Sequence, residues 1–320
     1  MDLTGIHHLT AVSADIRNNK RFYTNTLGMR LVKRSVNQDD VKAYHLFYAD
    51  GAGTPGTDLT FFDWNVPPEK RGSNTLMQTG LRVGGEKSLL WWKERFENLN
   101  VKHGEIYLRD KRATLEFEDA EGMRLALVDD GGIGNISVPF ADSSVPAEYQ
   151  IHGLGPIMMS VHELPATDAI LLQVMRFRMV RTYMRPAVEG AKEHKVYVYE
   201  MAKGGPGAEL HVAVQPDVKT GHPGGGGVHH VAFRTPNEEQ YDEWAARLVQ
   251  FRLPNSGPVD RFWFKSLYFR EPSGILFEIA TDGPGFGVDE SAETLGEKIV
   301  LPPFLEPSRE AIVKDLKKLD

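Results

Sequence analysis

The chain contains no cysteine. Structural disulfides, thiolate zinc sites, iron–sulfur clusters and a cysteine nucleophile are excluded together, so any metal must be held by His, Asp or Glu. A cationic surplus is also lacking. There are 37 Lys and Arg against 44 Asp and Glu, and the net charge of −7 argues against nucleic acid as a partner. Short basic runs such as Lys33-Arg34 and Lys317-Lys318 do not change that balance. No apolar run approaches the ~20 residues of a membrane span, and Met1-Asp2-Leu3-Thr4-Gly5 lacks the charged and apolar regions of a signal peptide. The expectation is a cytoplasmic protein with no membrane partner. Its 320 residues, 41% of them hydrophobic, suffice for about two ordinary cores.

What the sequence does have is a duplication. Gly5-Ile6-His7-His8-Leu9-Thr10 is echoed by Gly227-Val228-His229-His230-Val231-Ala232, and each copy opens an apolar β-type run that leads into a helix. Around the second copy, the strand 228–234 ends at Thr235-Pro236-Asn237-Glu238, which reads as a capping box with Pro at the first helical position. Tyr241, Trp244, Ala245, Leu248 and Val249 then share one helical face, and Pro254-Asn255-Ser256-Gly257 stops the helix. Two strand-like runs, 262–270 and 275–281, follow around the turn Glu271-Pro272-Ser273-Gly274. The unit reads β-α-β-β, with room for a further strand.

The same order recurs near His8, Gln78 and Pro156, making four units. They predict two domains, 1–150 and 151–320, separated by the Gly-, Pro- and Ser-rich stretch 129–155. A tail follows Asp282, and the sequence does not say where it packs.

Aligning the units by their turns matches His8, Gln78, Pro156 and His230 on the first strand, and Thr60, Ala126, His211 and Glu278 on the last. Units one and four then supply His8, His230 and Glu278, with the short neutral Thr60 in the fourth position. Two imidazoles and a carboxylate with open positions opposite suit non-haem Fe(II) and oxygen chemistry, and Mn(II) or Zn(II) also fits the donor types. Units three and four offer a competing set, His211, His230 and Glu278. It ranks second because its first-strand position is Pro156. Glu278 lies in the apolar run Ile275-Leu276-Phe277-Glu278-Ile279-Ala280, where a carboxylate needs a cation or strong donors.

At this point the pattern resembles the vicinal oxygen chelate superfamily, which includes glyoxalases, bleomycin resistance proteins and extradiol dioxygenases. More closely, it resembles the ring-cleaving dioxygenases that act on hydroquinones. The likeness runs through GIHHLT, FYTNTLGMRLVKRSVNQDD, YHLFYADGAGTPGTDLTFF, GVHHVAF, LYFREPSGILFEIATDGPGF and LPPFLEP. It implies an α+β fold of four βαβββ units forming two paired-module domains with incomplete mixed β-barrels, the metal lying between modules one and four. It also implies Fe(II) on His8, His230 and Glu278, with a small aromatic diol and O2 as the reactants.

The positions near metal and substrate fall on His7, Thr10, His229, Arg261 and Tyr268. His229, Tyr268 and His7 are implied as proton-transfer groups, Arg261 as a stabiliser of negative charge, and Thr10, Arg261 and Tyr268 as substrate contacts. Strict strand alternation would turn His7 and His229 away from their neighbours' face, so these two require a bulge or a different role. A glyoxalase-like lyase or isomerase, a non-catalytic binder of aromatic ligands, and a homo-oligomeric assembly all stay open on the sequence alone.

Overall fold

The computed structural model describes residues 1–135, 137–186 and 192–319. The first unit comprises β1 (Ile6–Ser13), α1 (Ile16–Arg21, prolonged by a wider π-type turn over Phe22–Thr26), β2 (Arg30–Asn37), β3 (Asp40–Ala49) and β4 (Asp58–Asp63). The second has β5 (Thr75–Val83), α2 (Gly85–Asn98), β6 (His103–Arg109), β7 (Arg112–Glu118) and β8 (Arg124–Asp129). The third has β9 (Gly153–Val161), α3 (Pro165–Ala169, prolonged over Ile170–Val174), β10 (Arg178–Arg185), β11 (His194–Glu200) and β12 (Glu209–Val214). The fourth has β13 (Val228–Thr235), α4 (Glu238–Gln250), β14 (Val259–Asp260), β15 (Phe264–Arg270) and β16 (Leu276–Pro284), after which the tail carries α5 (Arg309–Asp315). Each unit is therefore βαβββ, as the resemblance implies.

The strands form two curled eight-stranded sheets, ordered β14-β15-β16-β13-β1-β4-β3-β2 and β10-β11-β12-β9-β5-β8-β7-β6. At the middle of each, the opening strands of two units pair antiparallel, β1 with β13 and β5 with β9. The first unit thus shares a sheet with the fourth, and the second with the third. A cut near residue 150 separates the halves of the sequence but not the sheets.

Local chemistry explains the element ends. Asn237, rather than Thr235, caps α4, its side chain accepting from the Gln240 N–H at 2.9 Å. Tyr241, Trp244 and Leu248 face inward at helical spacing, while Val249 lies at the margin of that stripe and is 68% exposed. The largest apolar cluster joins one face of both sheets to the helices. The opposite face of each sheet keeps a smaller cluster, around Phe47, Trp263, Phe264 and Phe286 in the first and around Met77, Met158 and Val196 in the second. The tail returns over the edge of the first sheet, where Leu301 and Ile312 pack on Val36 and the backbone of Ile299 bridges Arg34.

Candidate metal centre

In the β1–β13 pair, Thr10 lies opposite His230 and His8 opposite Ala232; β16 runs parallel to β13 with Glu278 level with Ala232. One strand face therefore gathers His8, His230 and Glu278. His8 Nε2 is 3.2 Å and His230 Nε2 is 2.9 Å from a single oxygen, Glu278 Oε2, and all three residues are buried. Close as they are, His230 Nε2 and Glu278 Oε2 have no hydrogen-bond partner. Buried polar atoms left this way are costly, and a cation between them removes the cost. Donors about 2.0–2.2 Å from an ion, at adjacent octahedral positions, stand roughly 3 Å apart. That is the spacing here, so the residues fit a divalent metal. Burial would push the Glu278 carboxyl up, but the two imidazoles more than offset it and hold the group well below the usual carboxylate range.

The doubled histidines escape strict alternation through a matched pair of bulges. In the β1–β13 register His7 is the extra residue between Ile6 and His8, and His229 the extra residue between Val228 and His230. Each bulge brings the first ring against the second, with His7 Nδ1 2.8 Å from His8 Nδ1 and His229 Nδ1 2.7 Å from His230 Nδ1. For His8 and His230 to present an Nε2 lone pair to a cation, their Nδ1 atoms must carry the proton and donate it to the neighbouring ring. Burial, and next the adjacent imidazole, lower the pKa of His7 and His229 to about 3, which suits them to accept.

Above the three converging groups is a cleft bounded by Thr10, Arg261 and Tyr268 and walled by Phe62, Trp263 and Phe264. His7 and His229 are not among its lining residues. His229 instead packs against Phe62 and Trp64 behind His230. Arg261 spans the cleft mouth, bonded to Asp39 at 2.8 and 3.2 Å, and its Nε donates to the Tyr268 hydroxyl at 3.3 Å. Thr60 in the fourth position is engaged, at 2.8 Å from the Thr10 hydroxyl and 3.0 Å from His45 Nε2.

Three residues here escaped the sequence reading. Ser266 donates to Glu278 Oε1 at 2.5 Å, leaving Oε2 to face the histidines. Asp39 anchors Arg261. His45 lines the cleft between Phe47 and Phe62. Period-two alternation in Ala43-Tyr44-His45-Leu46-Phe47 puts His45 and Phe47 on one face, the only hint the sequence carried.

His211, from the competing set, lies in the other sheet, beside Glu209 and Asp110. The three are compact enough to hold an ion, but two guanidiniums already occupy the carboxylates. Arg112 grips Glu209 bidentately at 2.7 and 2.8 Å, while Arg181 binds Asp110 and reaches Glu209 at 2.9 Å. His211 Nε2 donates to Glu209 at 3.0 Å and its Nδ1 accepts from the Tyr183 hydroxyl. His8→Ala is therefore expected to lose bound metal and His211→Ala to keep it, as measured by metal analysis of the purified variants. The reverse result would reinstate the competing set.

Burial would raise the Glu209 carboxyl, yet the His211 hydrogen bond and Arg112 hold it far below its ordinary value of 4.5. A depressed native pKa stabilises the fold fully above the unfolded value and loses its effect as pH falls towards the native one. Glu209→Gln should accordingly flatten the loss of stability below about pH 4.5 in acid titrations followed by circular dichroism. An unchanged acid transition would show that the network contributes nothing there.

A family model described as the Glyoxalase/Bleomycin resistance protein/Dioxygenase superfamily matches residues 5–127 and again 153–279. Over 320 residues, all of both chains, the sequence is 42% identical to a Bacillus subtilis (strain 168) protein provisionally named ring-cleaving dioxygenase MhqA. It is 28% identical to the chlorohydroquinone/hydroquinone 1,2-dioxygenase of Sphingobium indicum, across 98% of this chain and 95% of the other. A Bacillus subtilis crystal structure, provisionally described as a dioxygenase, superposes with a TM-score of 0.89 at 32% identity, covering 100% of this chain and 98% of that one. With two matched modules in tandem and relatives of the same length, the chain belongs to the glyoxalase/bleomycin resistance protein/dioxygenase superfamily.

Proposed function

We propose that the protein is an Fe(II)-dependent dioxygenase of the extradiol type, which opens the ring of a hydroquinone or related diol with O2 in the cytoplasm. The observation that carries this reading is the convergence of His8, His230 and Glu278 beneath a cleft walled by aromatic rings. Iron held there supplies Lewis acidity towards a phenolic oxygen and electron transfer to dioxygen.

The chain's own groups do the rest. Phe62, Trp263 and Phe264 offer apolar faces against which an aromatic ring can lie with water excluded. Burial, and then the Glu278 charge, push the Tyr268 hydroxyl up, so it stays protonated and can donate to a developing oxyanion. Arg261, fixed by Asp39, places a permanent positive charge beside it, and the Thr10 hydroxyl faces the same space. His7 and His229 act through their neighbours, holding the ligand imidazoles in one tautomer; we read them as positioning residues. A lyase or isomerase of the glyoxalase kind would want a fourth protein ligand, and Thr60, tied to Thr10 and His45, is a poor one.

Protein stripped with a chelator and reloaded anaerobically with Fe(II) should consume one O2 per hydroquinone or methyl- or chlorohydroquinone added. Zn(II) loading should give no uptake. No oxygen uptake with any diol, together with thiol-dependent isomerisation or mere tight binding, would refute the oxygenase reading.

A further inference from the structure

The second sheet has Gln78 and Pro156 where the first has His8 and His230, but it too is concave. Gln78 pairs with Met158 across β5 and β9 as His8 pairs with Ala232 across β1 and β13, and Met77 is the bulged residue in the place of His7. Over these positions opens a cavity of about 510 Å³, an ordinary size for a small-molecule site. Its wall carries Arg71, Lys102, Arg124 and Arg185 against only Glu116 and Glu118.

Both carboxylates are already shared. Glu118 takes Arg71 at 2.9 Å and Lys102 at 3.0 Å, while Glu116 takes Arg185 and the neighbouring Arg109, each at 2.9 Å. The Arg124 side chain makes no hydrogen bond or ion pair with any described residue, and Glu69 and then Glu118 attract it only from beyond ion-pair distance. Arg185 is 7% exposed, and among the described residues its Nη1 meets only the Met158 sulfur, a weak acceptor, at 2.8 Å. In a chain of net charge −7, this concavity is a local positive well with guanidinium donors to spare.

We infer that the cavity of the second half-barrel binds a small organic carboxylate, with Arg124 and Arg185 as the anion-holding residues. Planar guanidinium forks match a carboxylate in two-point geometry. Met77, Phe117 and Val218 on the same wall favour a ligand with an apolar body over a bare inorganic ion. The site is independent of whatever reaction occurs at the metal centre.

The test is calorimetric titration of full-length protein with benzoate, benzamide and inorganic phosphate. The titrations use the parent chain and the His8→Ala, Arg124→Gln and Arg185→Met variants. Benzoate should bind the parent and His8→Ala alike, benzamide should not bind, and phosphate should bind more weakly than benzoate. Arg124→Gln should weaken benzoate about tenfold or more, as the loss of a charge-assisted contact predicts. The Arg124 side chain holds no hydrogen bond or ion pair among the described residues, so this variant keeps the test valid even if Arg185→Met fails to fold. Benzoate binding that vanishes in His8→Ala but survives Arg124→Gln would put the ligand at the metal centre and overturn the assignment. No benzoate binding, equal binding of benzamide, or a preference for phosphate would overturn it too.

Discussion

Glu278→Gln is expected to leave the protein folded but nearly free of metal, with ring-opening turnover lost to background. The substitution preserves volume and the acceptor that Ser266 engages, and removes only the charge on the oxygen that both imidazoles face. A neutral amide is a poor ligand for a divalent ion beside two neutral histidines, and affinity should fall by more than the ~10–100-fold typical of losing an outer hydrogen bond to a ligand. Ser266→Ala is the graded companion. It frees Oε1 without touching the charge, so affinity should drop within that ~10–100-fold range while saturating Fe(II) restores occupancy. Metal content after anaerobic reconstitution and gel filtration separates the two. Near-stoichiometric iron in Glu278→Gln would remove the carboxylate from the ligand set.

Lys33→Ala should cost about 2–5 kcal/mol of stability in urea denaturation, because it truncates a fully buried side chain and strips the counterion from two partly exposed acids. The Lys33 side chain is fully buried on β2, and its ammonium donates to the Phe286 carbonyl at 3.2 Å, to Asp289 at 2.7 Å and to Glu290. Asp289 in turn accepts from the Trp263 indole at 2.9 Å, so one cation fastens the tail to the sheet and to a wall of the cleft. Replacing all three charges, as Lys33→Met with Asp289→Asn and Glu290→Gln, should recover most of the loss, since methionine refills the buried space and no acid is left without a counterion. A Lys33→Ala variant within about 1 kcal/mol of the parent would mean the cluster contributes as little as an exposed pair. Faster proteolysis between Phe286 and Leu305 is the local counterpart of the global loss.

The sequence made legible those features that a repeat imposes. Matching turns set His8, His230 and Glu278 at corresponding places, and the strand registers bring them to one face. The strands it left out, β2, β6, β10 and β14, are the four sheet edges. Arg178-Met179-Val180-Arg181 carries charge where an edge must resist pairing with another chain, and Arg30-Leu31-Val32-Lys33 carries a cation that the tail covers; both blur the alternation. The bulges at His7 and His229 depend on how two distant strands slip past each other, and no local pattern encodes that. Ser266 and Asp39 were hidden for a simpler reason: a serine on a strand and an aspartate in a hairpin gain meaning only from what stands opposite. The tail's place was illegible because Lys33 reads as a surface cation until Asp289 and Glu290 cover it.

Sharing a sheet between the first and last units also sets an order of events during synthesis. Units two and three, contiguous over residues 75–214, can complete their own sheet while the ribosome is still making the fourth. β1 waits with His8 until β13 and β16 emerge, so the pairing that builds the metal-binding groove is the slow, long-range step. A chain that stalls before residue 278 would carry a finished second half-barrel and an incomplete set of metal-holding groups.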